Sequence, residues 1–166
     1  MTTLVIVRHA KAERPAGVAD EDRPLTRRGH ADAAAAGAWL AARGYRPDLV
    51  LCSPARRTRQ TWRAVAAALT ASGAPEVHFD DALYHGDTKD ALDLLRRVPA
   101  TAGSVLLVGH NPTVSMLSSL LAGGTDGDSD GLRTSGIAVH VHDGGWAELG
   151  PGAAPVTASH TARASG

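Results

Sequence analysis

Cysteine is nearly absent. Cys52 is the single thiol in 166 residues, so no internal disulfide can form, and the chain suits a reducing compartment. Aromatic side chains make up only 4%, so helices must pack through small residues such as the plentiful alanines. No charge of one sign predominates, since Lys plus Arg and Asp plus Glu each number 17. A general nucleic-acid or membrane-surface binder would carry a basic excess. No apolar run approaches the ~18 residues of a membrane span. Met1-Thr2-Thr3 lacks the basic start of a secretory leader. No Gly-x-Gly-x-x-Gly follows the first apolar run, which argues against a dinucleotide enzyme. A cytoplasmic protein is expected. Residues 1–150 read as one domain, and the small, polar residues 151–166 as a flexible tail.

Apolar runs and helical patterns alternate. Leu4-Val5-Ile6-Val7 reads as a buried strand. A polar stretch, Lys11 to Pro24, precedes a helix from about Thr26 to Arg43, with Gly44 closing it. Asp48 to Cys52 is a second strand, and Ser53-Pro54 a cap-then-proline helix start. A weak strand at 76–79 leads to a loop, Asp80 to Asp87, and Thr88 is read as the cap of a helix reaching Val98. Ser104 to Gly109 is a buried strand, and Asn111-Pro112 opens a helix to about Leu121. A Gly/Asp-rich loop spans 123–131, and whether it closes over a site stays open. Ile137 to His142 alternates like a strand, with Trp146 to Leu149 as its hairpin partner. This order predicts an α/β three-layer sandwich. Its central sheet is mostly parallel, helices cover both faces, and a C-terminal β-hairpin lies at the sheet edge.

Three strand ends carry unusual residues: Arg8-His9, Ser53 to Arg57, and Gly109-His110-Asn111-Pro112. Ligands of such sheets sit outside the carboxyl ends of the strands, and helix N-termini favour anions. Two histidines with arginines suit a phosphoryl group better than a metal, which arginine would repel. Within the second helix, Arg57 lies four residues before Thr61, on the side of Trp62 and Val65. It is therefore the expected phosphate ligand, and Arg56, Arg59 and Arg63 are read as a solvated face.

Five segments in order resemble the histidine phosphatase superfamily and, within it, the small phosphohistidine phosphatases of the SixA type. They are Arg8-His9-Ala10, Arg23-Pro24-Leu25-Thr26-Arg27-Arg28-Gly29, Ser53 to Thr61, Gly109 to Pro112, and Thr134-Ser135-Gly136-Ile137-Ala138. The resemblance implies His9 as the nucleophile, its second ring nitrogen donating to an acceptor such as a backbone carbonyl. It implies Arg8, Arg57 and His110 as clamps on the phosphoryl oxygens, and Asn111 and Ser135 as further substrate contacts. No metal or cofactor is implied. Phosphomutase-like relatives place a glutamate in the loop after the third strand. Here His85 stands roughly at that place, with Asp81 and Asp87 nearby, and the proton donor stays open between these and none. The resemblance further implies a phosphatase for phosphohistidine on a partner protein; a monomer is expected. Alternatives are a phosphatase for small aryl or sugar phosphates and a non-catalytic phosphate-binding module. His30, His78, His140 and His142 are read as solvated, and His160 as part of the tail.

Overall fold

The computed structural model describes residues 1–69, 73–124 and 131–165. Its six strands are β1 (Thr2–Arg8), β2 (Leu49–Cys52), β3 (Glu76–Phe79), β4 (Ser104–Gly109), β5 (Gly136–His142) and β6 (Val156–Thr161). They form one sheet in the order β3-β2-β4-β1-β5-β6. The first four run parallel, while β5 is antiparallel to β1 and β6 to β5. The helices are α1 (Arg27–Ala42), α2 (Arg56–Ala68), α3 (Ala82–His85), α4 (Thr88–Arg96) and α5 (Thr113–Leu121). None of them is long and apolar enough to cross a membrane.

Strict alternation in the buried strands creates two cores. Leu4 and Ile6, Leu49 and Leu51, and Val105 and Leu107 face one side, against Leu92 and Leu95 of α4 and Leu117 and Leu121 of α5. Their neighbours Val5 and Val7, Val50 and Cys52, and Leu106 and Val108 face the other, against Ala36 and Leu40 of α1 and Trp62 and Val65 of α2. The three-layer sandwich is thus written into the period of two. α1 starts where Thr26 accepts from the Gly29 amide, and Gly29 itself lets the helix lie on the backbone of residue 11. A Cβ there would come within 2.1 Å of the Lys11 carbonyl oxygen.

The chain departs from the sequence reading at four places. First, the edge hairpin exists, but its second strand is β6 rather than 146–149. Trp146–Glu148 forms a 3-10 turn, which puts Trp146 and Leu149 on one side. Both are buried in the first core, and the indole Nε1 donates to the Ala102 carbonyl at 2.6 Å. Second, the expected tail is folded: β6 pairs with β5, and Ala162 is fully buried in the second core. Third, three helices start later or differently than their caps suggested. α2 begins at Arg56 beyond Ser53-Pro54, α5 begins at Thr113 beyond Asn111-Pro112, and Asp87 rather than Thr88 caps α4, exchanging bonds with Asp90. Fourth, His140 is not solvated. It is buried, donates Nδ1–H to the Ala154 carbonyl at 2.7 Å, and is joined through Nε2 to Ser118 Oγ at 2.8 Å. In the Gly/Asp-rich loop 123–131, residues 125–130 lie outside the described residues, and with them the question whether it closes over a site.

Candidate active site

The three marked strand ends lie side by side at the carboxyl ends of the adjacent interior strands β2, β4 and β1. Arg8 pairs with Gly109, the His9 amide donates to the Gly109 carbonyl at 3.1 Å, and the Ser53 amide donates to the Val108 carbonyl at 3.1 Å. Because β1 ends at Arg8, the next residue can turn toward its neighbours, and the His9 and His110 rings stand 5.3 Å apart between centroids. α2 is tied to the same bend. Thr61 Oγ1 accepts from the Ala10 amide at 3.0 Å and donates to the Arg57 carbonyl at 2.7 Å. Arg57 is accordingly 7% exposed, while Arg56, one residue earlier, is exposed. Arg59 is half-buried, and its Nε donates to the Pro54 carbonyl.

The bond from His9 Nδ1 to the Ala10 carbonyl is 2.7 Å long. A carbonyl only accepts, so Nδ1 carries the proton and Nε2 keeps its lone pair. His110 Nε2 lies 2.7 Å from Ser53 Oγ, which accepts from the Ala55 amide. We assign the hydroxyl proton to the His110 bond, which leaves Nδ1–H of His110 as a free donor. Burial, with the positive charges of Arg57, Arg8 and Arg23, lowers His9 to about 4, against the opposing pull of the Ala10 carbonyl. Burial, then His9, Arg57 and Arg8, lowers His110 to about 3, against the opposing pull of Asp20. Both imidazoles are therefore neutral at physiological pH.

The guanidinium groups share a pattern. Arg8 is anchored through Nη1 on the Leu132 carbonyl at 3.2 Å. Arg57 is anchored through Nη1 on the Asp20 carbonyl at 2.7 Å and through Nη2 on Asp20 Oδ2 at 3.1 Å. In each, Nε is buried without a protein partner, as are His110 Nδ1 and Ser135 Oγ. A buried donor left unsatisfied costs about 1–3 kcal/mol, and an oxyanion among these groups would relieve several at once. Ser135 is next to the nucleophile candidate. Its amide donates to the His9 carbonyl at 3.2 Å, and it is the one described non-glycine residue at positive φ, +58°.

The other expected residues stand further out. Asn111, before a cis peptide to Pro112, is turned to the wall: Nδ2 donates to the Leu132 carbonyl at 2.7 Å and Oδ1 accepts from Ser115. It braces the carbonyl that anchors Arg8. His85 is exposed, and its ring meets Tyr84 at 4.7 Å. Tyr84 is the residue of that loop that reaches inward, edge-on to His110 at 5.5 Å and with the Arg57 guanidinium 6.0 Å from its ring. Asp81 and Asp87 are exposed. Sequence reasoning overlooked Tyr84, Ser53 and above all Asp20, which bonds Arg57, Arg23 and the Tyr84 hydroxyl together. Among the described residues, no cluster of His, Cys, Asp and Glu could hold a metal ion.

The chain is similar in sequence and fold to known proteins. The profile of the histidine phosphatase superfamily (branch 1) matches residues 4–91. An uncharacterized protein of Mycobacterium tuberculosis is 40% identical over 164 residues, covering 95% of this chain and 100% of that one. A structure from Nakamurella multipartitia, solved under the provisional name phosphohistidine phosphatase SixA, is 34% identical. It superposes with a TM-score of 0.84 over 97% of this chain and 96% of that one. The protein histidine phosphatase SixA in complex with tungstate is 26% identical, with a TM-score of 0.80 over 96% and 97% of the two chains.

Proposed function

The chain belongs to the histidine phosphatase superfamily, and we propose that it hydrolyses phosphohistidine borne on a protein, through a phosphoryl group held for a time on His9. Membership of this superfamily supports a phosphatase with a histidine nucleophile. The observation that carries the assignment to His9 is its 2.7 Å bond to the Ala10 carbonyl. That bond orients the ring, fixes the proton on Nδ1 and leaves the Nε2 lone pair beside two guanidinium groups with unpartnered buried Nε–H.

In the first step Nε2 of His9 attacks phosphorus. The P–N bond to the substrate imidazole breaks, its electron pair stays on that ring nitrogen, and the nitrogen takes up a proton from water. In the second step water attacks phosphorus and loses its proton to solvent. Inorganic phosphate leaves and neutral His9 returns. Arg8, Arg57 and His110 meet the non-bridging oxygens and offset the charge that grows on them. The preference for a nitrogen leaving group rests on the proton donor. An alkoxide needs one. Among the described residues the carboxylate bonded to the site is Asp20, held well below the usual carboxylate range by the Tyr84 hydroxyl, Arg23 and Arg57. An ionised Asp20 is a poor acid. A phosphorylated imidazole can leave with solvent alone as its proton source. The SixA structure with tungstate is a relative with a tetrahedral oxyanion bound, which is in keeping with this reading.

Trapping tests it. The protein is incubated with a labelled histidine-phosphorylated protein, quenched at alkaline pH, and the acid-labile label is mapped. Label on His9, lost in His9→Ala, is expected. Turnover with the label elsewhere would overturn the nucleophile. Absence of both turnover and label would leave a phosphate-binding module. Faster hydrolysis of a sugar-phosphate panel than of the phosphorylated protein would overturn the substrate.

A further inference from the structure

A guanidinium has two edges that can each engage two oxygens: the outer edge, Nη1 with Nη2, and the side edge, Nε with one Nη. In Arg57 the outer edge is taken entirely by one residue, whose main-chain oxygen receives Nη1 at 2.7 Å and whose Oδ2 receives Nη2 at 3.1 Å. The side edge keeps its buried, unpartnered Nε–H. We propose that Asp20 is a positioning residue that aims Arg57, occupying the outer edge so that the side edge is presented to the phosphoryl oxygens. The inference rests on the reading of Arg57 as a phosphoryl ligand.

Asp20 is suited to this because it is itself held. Its Oδ1 accepts from Arg23 Nη1 at 3.0 Å, its Oδ2 accepts from the Tyr84 hydroxyl, and its carbonyl also receives the Arg23 amide at 3.2 Å. The carboxylate is 54% exposed, yet three side chains converge on it. Tyr84 in turn lies edge-on to His110. A single loop residue thereby connects the outer end of one phosphate ligand to the ring beside another. Arg8 obtains the same service from main chain alone, through the Leu132 carbonyl.

The rival meaning of the same contacts is a gate, in which the carboxylate stands in for substrate and must be displaced. The two differ in sign. Asp20→Ala removes a negative charge, which by itself strengthens oxyanion binding; loss of aim weakens it. Tungstate affinity measured by calorimetry reads the difference. If Asp20 aims Arg57, Asp20→Ala raises the tungstate Kd by about tenfold, and Asp20→Asn, which keeps one acceptor, raises it less. Tyr84→Phe weakens binding in the same direction and adds nothing to Asp20→Ala, because the hydroxyl acts through the carboxylate. Unchanged or tighter binding by Asp20→Ala overturns the proposal. Arg57→Ala is measured alongside. In that background Asp20→Ala has nothing left to aim, so it no longer weakens binding and only the gain from the lost negative charge remains. If Arg57→Ala alone leaves tungstate affinity intact, the phosphoryl-site reading itself has failed. Circular dichroism of each variant separates these results from misfolding.

Discussion

Lowering the pH from 7 to 5 should weaken the fold, and the structure gives the size of the effect. His9 and His110 are held at about 4 and about 3 in the folded protein, mainly by burial, against an ordinary histidine value of 6.5. Between the folded and unfolded values the unfolded chain binds more protons, so stability rises with pH and falls as acid is added. Over this interval each ring contributes a loss of about 2 kcal/mol, or about 4 kcal/mol together if they titrate independently. His140, also pushed down by burial, acts in the same direction. Asp20 does not interfere. Its carboxyl is held down in the folded state, so its stabilisation is lost only below the usual carboxylate range. Urea unfolding at the two pH values measures the difference. With a slope of about 2 kcal/mol per molar, the midpoint should drop by roughly 2 M. His9→Gln and His110→Gln should each remove about 2 kcal/mol of the pH dependence, whatever they do to absolute stability, and leave the part that His140 supplies. A midpoint that stays flat in the parent protein, or a pH dependence undiminished by both substitutions, would refute neutral burial of the two rings.

Arg57→Ala is expected to lower kcat/KM by about 10²–10³-fold on any phosphoryl substrate, whereas Arg56→Ala, exposed one residue away, should leave it within about threefold. Equal losses in steady-state assays would show that the inward face of α2 was misassigned. Gly37→Ala tests the α1–α2 contact. Its Cβ would lie 2.8 Å from both the Cα and the carbonyl oxygen of Val65, so the helices must part, at a cost of about 1–3 kcal/mol. A thermal melt should drop by about 3 °C or more, and an unchanged Tm would speak against that close approach.

The parts of the site that were readable share a cause: each lies within a regular element or at its end. Arg8 and His9 stand out because a buried strand stops beneath them. Arg57 stands out because helical spacing from Thr61, Trp62 and Val65 sets its face. Asp20 had no such signal. It belongs to a polar stretch without period, and its importance arises only when that stretch folds back over α2 and reaches a side chain 37 positions away. Tyr84 lost out to His85 for a similar reason. A four-residue helix, Ala82–His85, turns the tyrosine inward and the histidine out, and a loop alignment carries no such rotation. β6 was misread as tail because the inward residues Ala158, within it, and Ala162, just past its end, are small. An edge strand packed through alanine has little hydropathy contrast. Trp146 misled in the opposite way: its large apolar surface resembled a strand residue, whereas the indole is a plug fastened to Ala102.

The end of β6 reaches further into the chemistry than its edge position suggests. The Ala162 amide donates to the Ser135 carbonyl at 3.1 Å, and the Ser135 amide donates to the His9 carbonyl. Arg163 bonds the Thr134 carbonyl, and the Ala164 amide bonds the buried Asp32 carboxylate. Two peptide units thus separate the last strand from the nucleophile candidate. Proteolytic trimming back past Ala162 would unfasten the backbone behind His9 while leaving every side chain of the candidate site in the polypeptide. An affinity tag for purification accordingly belongs on the Met1 side, where the first residue is 84% exposed.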